Sequence, residues 1–406
     1  MTQAKGALMQ LLYQRESTFR TAPVSPDAIA LPFTEWNVGR NPQMVKDPSI
    51  NSSPLPGKGS VGDVTVGGSA KTIFDLRNIG FHLALLLGVP AVHKAVTKAP
   101  TNVTGVTIHY AQTACPTGDG VLAFTFTGKL LTWAAQGETA GATVDVTAGG
   151  RFTLQSSTTA HAIVVEVAAA SLPGTDKTDA DIAVSTTLKA HVFPFDMAAR
   201  PSALMELAQS DITKFYRDLG MMINKLSYDV MAAEQDVDIE YIGGSETEEA
   251  TVWDATPTSY ASVRATGNGC YISNGATSAL GVITGGKFAA DNGMQGKKVA
   301  NQQEGYGLID QGEVALSGNV EVVFDGLGTA ALARANTSTR MRIGSTASVS
   351  GAVFGLWWDM PNVQIIDKMV PKKGKSGIFA SYDWTAHRDT AGNLPMITLI
   401  NDVAAY

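Results

Sequence analysis

Cysteine is nearly absent from the 406-residue chain: Cys115 and Cys270 stand far apart and form no CxxC pair. That excludes a disulfide framework and leaves a zinc site without ligand spacing, so both thiols are read as reduced. Charge is scarce too, at 17% of residues, and a basic excess is missing altogether, the formal net charge being −7. A protein that grips nucleic acid through a basic surface shows the reverse. No apolar run reaches membrane-spanning length, the longest, Phe81 to Val89, being interrupted by His82 and Gly88. The opening stretch MTQAKGALMQLLYQRES lacks the apolar core of a signal peptide, so the expectation is a soluble protein made in a cytoplasm. No HExxH and no other pairing of motif with context builds a catalytic centre. Neither an enzyme nor a bound cofactor or metal is expected.

Glycine, by contrast, is plentiful, with 41 residues, and 44% of the chain is hydrophobic with much Val, Thr and Ala. Such a composition predicts a mainly β protein with many turns, and the length predicts two or three domains. The clearest pattern runs from Gly220 to Gly244, where two alternating stretches flank Ala232-Ala233-Glu234-Gln235. Side chains alternate across a strand, so this is a β-hairpin with Val237, Ile239 and Tyr241 on one face and Asp236, Asp238 and Glu240 on the other. In its first strand Met222, Leu226, Tyr228 and Val230 oppose Lys225, Ser227 and Asp229. Like charges on neighbouring same-face positions repel. The bland account is a solvated strand face; the functional one is a wall that something anionic passes without sticking. Glu313 to Asp325 alternates in the same way, with Val314, Leu316, Val320, Val322 and Phe324 opposing Glu313, Asn319, Glu321 and Asp325.

Seven prolines between Pro23 and Pro56 exclude a central strand or helix there and predict an extended arm, about 20–58. Phe33 and Trp36 give it apolar anchors that want a partner surface. Gly57 to Gly62 fits GxGxxG and Gly281 to Lys287 fits GxxxxGK, yet the first has no strand–turn–helix context and the second is followed by Phe288 rather than Ser or Thr. Neither is read as a nucleotide site. Thr72 as N-cap, apolar residues from Ile73 to Leu87, Gly88 and Pro90 predict a helix with a narrow polar stripe of Asp75, Asn78 and His82. A second, short helix is expected over about 210–219 from the spacing of Leu204, Leu207, Ile212, Phe215 and Leu219. From about 97 to 187 the chain turns to short Thr/Ala/Gly-rich strands with turns every ten residues or so, as a small inserted β-sandwich would. Asp176, Asp179 and Asp181 lack the glycine and distal glutamate of a calcium loop.

The order of these motifs resembles the tail tube proteins of long-tailed (siphovirus-like) bacteriophages. The likeness rests on YQREST from Tyr13, PLPGKGSVGDVTV from Pro54, LLLGVP from Leu85, ITKFYRDLGMMINKLSYDV from Ile212, YIGG from Tyr241, VALSGNVEVVFD from Val314 and ITLIN from Ile397. It covers 1–95 and 190–406, while LTWAAQGETAG from Leu131 and GRFTLQSS from Gly150 resemble the small β-domains that many such proteins carry. The resemblance implies a β-sandwich tail-tube core (1–96 and 188–406) with a flanking helix, an inserted outer domain (97–187), and inner sheets that together form a β-barrel channel. It further implies a virion protein of the tail, assembled in the host cytoplasm as stacked hexameric rings through which DNA is ejected. Its partners would be itself, the tape measure protein, the tail terminator and the baseplate or tip proteins. On that footing Asp236, Asp238, Glu240, Glu313, Glu321 and Asp325 are expected to face the lumen, and Phe33 and Trp36 to join ring to ring. The alternative is a head-decoration or adhesin-like β-protein that binds a capsid or glycan surface.

Overall fold

The alternation seen at 220–244 forms the hairpin on which the fold is built, and its first strand is longer than the pattern predicts. The computed structural model describes residues 5–406 apart from 48–54, 56, 99–100, 104, 117–121, 128–129, 168–176, 196–199, 274–279, 281–282, 301–303, 324–327, 368–378 and 389–393; for 122–127 and 177–181 it describes the backbone alone. In chain order the elements are β1 (Met9–Arg15), β2 (Ile29–Leu31), β3 (Glu35–Val45), β4 (Ser60–Ile73), α1 (Ile79–Leu87), β5 (Ala91–Lys98), β6 (Val106–Ala111), β7 (Leu122–Thr127), β8 (Leu130–Ala134), β9 (Val144–Asp145), β10 (Gly150–Gln155), β11 (Ala162–Val167) and β12 (Lys177–Phe193). There follow β13 (Ala203–Gln209), β14 (Lys214–Asp229), β15 (Asp236–Gly243), β16 (Ser245–Glu249), β17 (Thr258–Ser259), β18 (Cys270–Ser273), β19 (Ile283–Asp291), β20 (Gln295–Lys297), β21 (Leu308–Asp310), β22 (Ala315–Val323), α2 (Gly328–Ala335), β23 (Thr339–Val349), β24 (Ala352–Ile365), β25 (Phe379–His387) and β26 (Met396–Asn401). The chain is mainly β, as its composition predicts.

Two long strands act as corners. The first half of β14 pairs with β13 and β16, and its second half with β15 and β19. Gly220 sits at the changeover with φ +69, and a Cβ there would meet the Phe19 and Arg20 side chains within 3 Å, so only glycine fits. Beyond it the sheet runs β3-β4-β15-β14-β19-β22-β25 and reaches the end of β24. β24 is the second corner: its earlier half pairs with β26, which leads through β12 and β5 to β6, β11 and β10. Among the described residues the first sheet does not close on itself, since β3 pairs with β4 alone.

A ladder of rings fills the core. Phe74 meets Tyr228 edge-on at 4.8 Å, Tyr228 meets Phe288 at 5.4 Å, and Phe288 meets Trp358 at 4.2 Å. Every residue of α1 is buried, including His82, whose Nδ1 lies 2.9 Å from the Tyr241 hydroxyl. Burial pushes its pKa down to about 4, outweighing the opposing pull of the Asp75 carboxylate. The polar stripe expected on this helix is thus covered. A second cluster, with Trp133, Leu154, Ile163, Val165 and Ile182, fills the region between 103 and 184. β12 carries the chain out of that cluster and into the main sheet, with register irregularities between Ala183 and Lys189.

Three local expectations are corrected. The helix begins at Ile79, not at Thr72: Thr72 lies in β4 with its hydroxyl donating to the Pro32 carbonyl at 2.7 Å, although Gly88 ends the helix as expected, its N–H on the Ala84 carbonyl. The stretch 210–219 is no helix but a turn and the start of β14, with Thr213 at φ 50 closing it. Ala203, Leu204, Met205 and Glu206 are buried in succession; a strand covered on both faces loses its period of two, which leaves helical spacing to chance. Within the hairpin the register shifts between Ile223 and Lys225. Met222 therefore leaves the Leu226 face and packs with Met294 and Ile309. The proline-rich segment pairs with its own chain, β3 lying at the edge of the sheet with Pro42 at a register shift, and an edge strand or a bulge tolerates proline.

Candidate functional site

The sheet β3-β4-β15-β14-β19-β22-β25 covers the core with one face and turns the other to solvent. Along β15, Val237, Ile239 and Tyr241 are buried whereas Asp238 and Glu240 are exposed. Register carries that parity sideways: Glu35, Lys71, Asp238 and Ser227 form one row, and Asn37, Ser69, Glu240, Lys225 and Asp291 the next. Asp229, Lys287, Asn319 and Asp383 form a third, and Glu321 lies between Gly285 and Ser381. Most of the remaining positions are small or neutral.

Of the predicted residues, Asp236, Asp238, Glu240 and Glu321 share this face, Glu313 is exposed just ahead of β22, and Asp325 lies outside the described residues. The face is less uniformly acidic than its separate strands imply. Lys71 reaches Asp238 at 3.7 Å and Arg264 reaches Asp236 at 3.8 Å. In the central part of this face Lys71, Lys225 and Lys287 stand against eight carboxylates (Glu35, Asp229, Asp236, Asp238, Glu240, Asp291, Glu321 and Asp383), while Asp63 farther out on β4 is paired with Lys298. Cross-strand lysines relieve repulsion that like charges on one strand create. Lys71, Lys287, Asp291 and Asp383 belong to the face only through register, which no local pattern reports.

Phe33 and Trp36 are half-buried and pack on the main core; the Trp36 ring lies 5.3 Å from Tyr241, on the side opposite the carboxylates. Exposed apolar side chains cluster farther out on the β3–β4 hairpin, at Met44, Val45 and Val61, besides Val24 and Leu55 outside its strands. Its middle is held by Arg40, whose Nε donates to Glu304 at 3.0 Å and whose backbone N–H donates to Glu246 at 2.8 Å, and by Lys298 on Asp63 at 2.6 Å.

A different kind of site lies where the 103–184 cluster meets the main sheet. Arg340 on β23 donates from Nε and Nη2 to Asp359 on β24 (2.9 and 2.6 Å) and from Nη2 to Glu166 on β11 (2.6 Å). His109 on β6 closes the group, its Nε2 2.9 Å from Glu166. Burial alone would raise Asp359, but the Arg340 guanidinium holds it below the usual carboxylate range. Burial lowers His109 despite the Glu166 hydrogen bond, so the imidazole is neutral at pH 7. Atoms of His109, Glu166 and Asp359 lie within 4.8 Å of one another, as metal ligands do. The guanidinium bonded to both carboxylates already supplies their counter-charge, which makes the group an ion-paired joint.

Two motifs that mimic phosphate loops are structural. Gly57 leads towards β4, and Gly285, Gly286 and Lys287 lie inside β19; Gly281 is outside the described residues. Among the described residues no helix is long and apolar enough to cross a membrane. A family model described as phage tail tube protein matches residues 6–386. No curated protein matches the chain.

Proposed function

We propose, since this chain belongs to the phage tail tube protein family, that it polymerises as stacked hexameric rings into the tube of a siphovirus-like tail, the conduit for DNA ejection. The observation that carries the reading is the broad solvent-facing side of the β3-to-β25 sheet, mostly polar and with carboxylates outnumbering lysines. DNA is a dense polyanion; a wall able to neutralise its phosphates would hold it through counterion release, whereas an acidic wall leaves it free to move. In this reading Asp236, Asp238, Glu240, Glu321, and with them Glu313 and Asp325, face the lumen, and the inner sheets of neighbouring subunits complete a barrel.

Ring closure uses the edge of the sheet, because an exposed edge such as β3 is an aggregation hazard unless paired. The segment that holds Phe33 and Trp36 makes the ring-to-ring contact, with those two rings as its root on the protomer and Met44, Val45 and Val61 as its contact surface. The 97–187 region lies on the outside, where bulk does not obstruct the channel. The chain is a structural component of the virion tail, assembled in the host cytoplasm, and its further partners are the tape measure, terminator and baseplate or tip proteins.

Negative-stain microscopy of purified protein tests polymerisation: rings or hollow tubes are expected, and a stable monomer at all concentrations refutes the proposal. Cysteine labelling tests the facing. In assembled tubes Asp238→Cys should react with a small maleimide and resist one carrying a polymer wider than the lumen, while Thr158→Cys, exposed in the 103–184 region, reacts with both. Equal labelling of Asp238→Cys by both reagents places that face outside.

A further inference from the structure

At the joint between the 103–184 cluster and the main sheet, a cavity of about 500 Å³ opens above β23, β24 and β26, within the size range of small-molecule sites. Its floor is the Trp357 indole. In register, Gly344 lies directly across from Trp357, and Gly355 lies two residues before it on the same strand. A Cβ at Gly355 would meet the indole at 2.5 Å, and one at Gly344 would meet it at 3.0 Å and the Tyr271 ring at 2.5 Å. The ring thus spans two glycines on the sheet, and side chains there would displace it.

Polar groups converge on this floor. Thr398 is buried with its hydroxyl unpartnered among the described residues, and Ser185 and Thr187 add hydroxyls from the β12 side. Arg342 lines the same cavity, its guanidinium over the Trp357 ring at 6.0 Å and its buried Nε without a hydrogen-bond partner among the described residues. The two nearby carboxylates are already taken, Asp359 by two bonds from Arg340 and Glu166 by Arg340 and His109. Arg151 adds a further guanidinium 4.0 Å from Glu166. Among the described residues three guanidiniums therefore face two carboxylates, and the surplus positive charge is at Arg342, in a protein of net charge −7.

We infer that this cavity binds an acidic saccharide, a hexuronic-acid unit with its carboxylate on Arg342, its ring face on Trp357 and its hydroxyls on Thr398, Ser185 and Thr187. Each requirement has its own observation: the surplus guanidinium asks for an anion, the indole for a flat face with C–H groups, and hydroxyls that both donate and accept for a polyhydroxylated body. The site is separate from the sheet face assigned to the lumen and does not rest on that assignment.

The test is titration of the unassembled full chain with glucuronate, followed by tryptophan fluorescence and saturation-transfer NMR, beside glucose and glucose 6-phosphate. Glucuronate is expected to bind with Kd of about 1 mM or tighter and glucose about tenfold more weakly, with saturation transferred to the sugar ring protons. Arg342→Gln should abolish the preference over glucose, Arg342→Lys should retain part of it, and Thr398→Val, nearly isosteric, should weaken both sugars with the circular dichroism unchanged. Equal binding of glucose and glucuronate, preference for glucose 6-phosphate, or no binding by any of the three overturns the assignment. So does a folded Arg342→Gln protein that binds glucuronate normally. If no sugar binds and Arg342→Gln blocks polymerisation, the cavity is a contact between copies of the chain and the inference fails.

Discussion

Replacing Arg340 by methionine removes the one group that, among the described residues, bonds both Asp359 and Glu166, while keeping the side-chain stem. Asp359 is 2% exposed and Glu166 is half-buried, so the variant leaves two carboxylates without their shared guanidinium beside a neutral His109, with Arg151 and Arg342 as more distant cations. Removing one partner of a buried ion pair costs about 3–5 kcal/mol. The Arg340 side chain is 22% exposed, which admits water, so the lower end, about 3 kcal/mol at pH 7, is the expectation. The pH dependence identifies the cause. In the native protein the depressed Asp359 contributes stability that is present above its unfolded pKa and lost as pH falls through the lower, folded value. Without Arg340, burial instead raises Asp359, so the variant's deficit should shrink as pH drops from 7 towards 5, where the carboxyl takes up a proton. The assay is guanidinium unfolding of both proteins at several pH values, with limited proteolysis within 103–184 as a report on the joint. The triple variant Arg340→Met, Asp359→Asn, Glu166→Gln should recover most of the loss. A deficit below about 1 kcal/mol, or one that is constant with pH, refutes the view that this group fastens the two clusters together.

Changing Asp238, Glu240 and Glu321 to lysine should leave tube assembly intact and make DNA passage slow and salt-dependent, measured by ejection rate from reconstituted particles; unchanged rates remove the lumen assignment. Substituting Met44, Val45 and Val61 by serine should give folded protomers that stop at single rings in negative stain, whereas Trp36→Ala should lower the stability of the free protomer, because its ring packs on Tyr241. His82, with its pKa pushed to about 4 by burial, favours folding while neutral; its contribution is full above pH 6.5, falls as pH drops, and its complete loss is worth about 3 kcal/mol. His82→Phe should accordingly flatten the stability profile between pH 6.5 and 4 in equilibrium unfolding, and an unchanged profile assigns the acid sensitivity to other groups such as His191.

Local periodicity determined the parts of this protein that have one wet and one dry face. The β14–β15 hairpin, the core triplet Val237, Ile239 and Tyr241, the β22 strand and the glycine that ends α1 all follow from spacing alone, because side-chain direction in a strand or helix is a local property. The mainly β class follows from composition in the same way. An element covered on both sides had no such signal: β13 packs between β1 and β14, and the unbroken burial of Ala203 to Glu206 erased the alternation that marks a strand. The fate of the proline-rich segment depended on β4, a partner some twenty residues on, and the register slip at Asn224 on pairing across two neighbours. The functional surfaces divide along the same line. Three carboxylates on one strand are visible in sequence, but Lys71 and Lys287 join them only through register with β15 and β14, so the true charge of the face belongs to the tertiary structure. Likewise His109, Glu166, Arg340 and Asp359, with Arg342 beside them, come from four strands between 106 and 365. Nothing in their spacing brings them together; the corner made by β24 does.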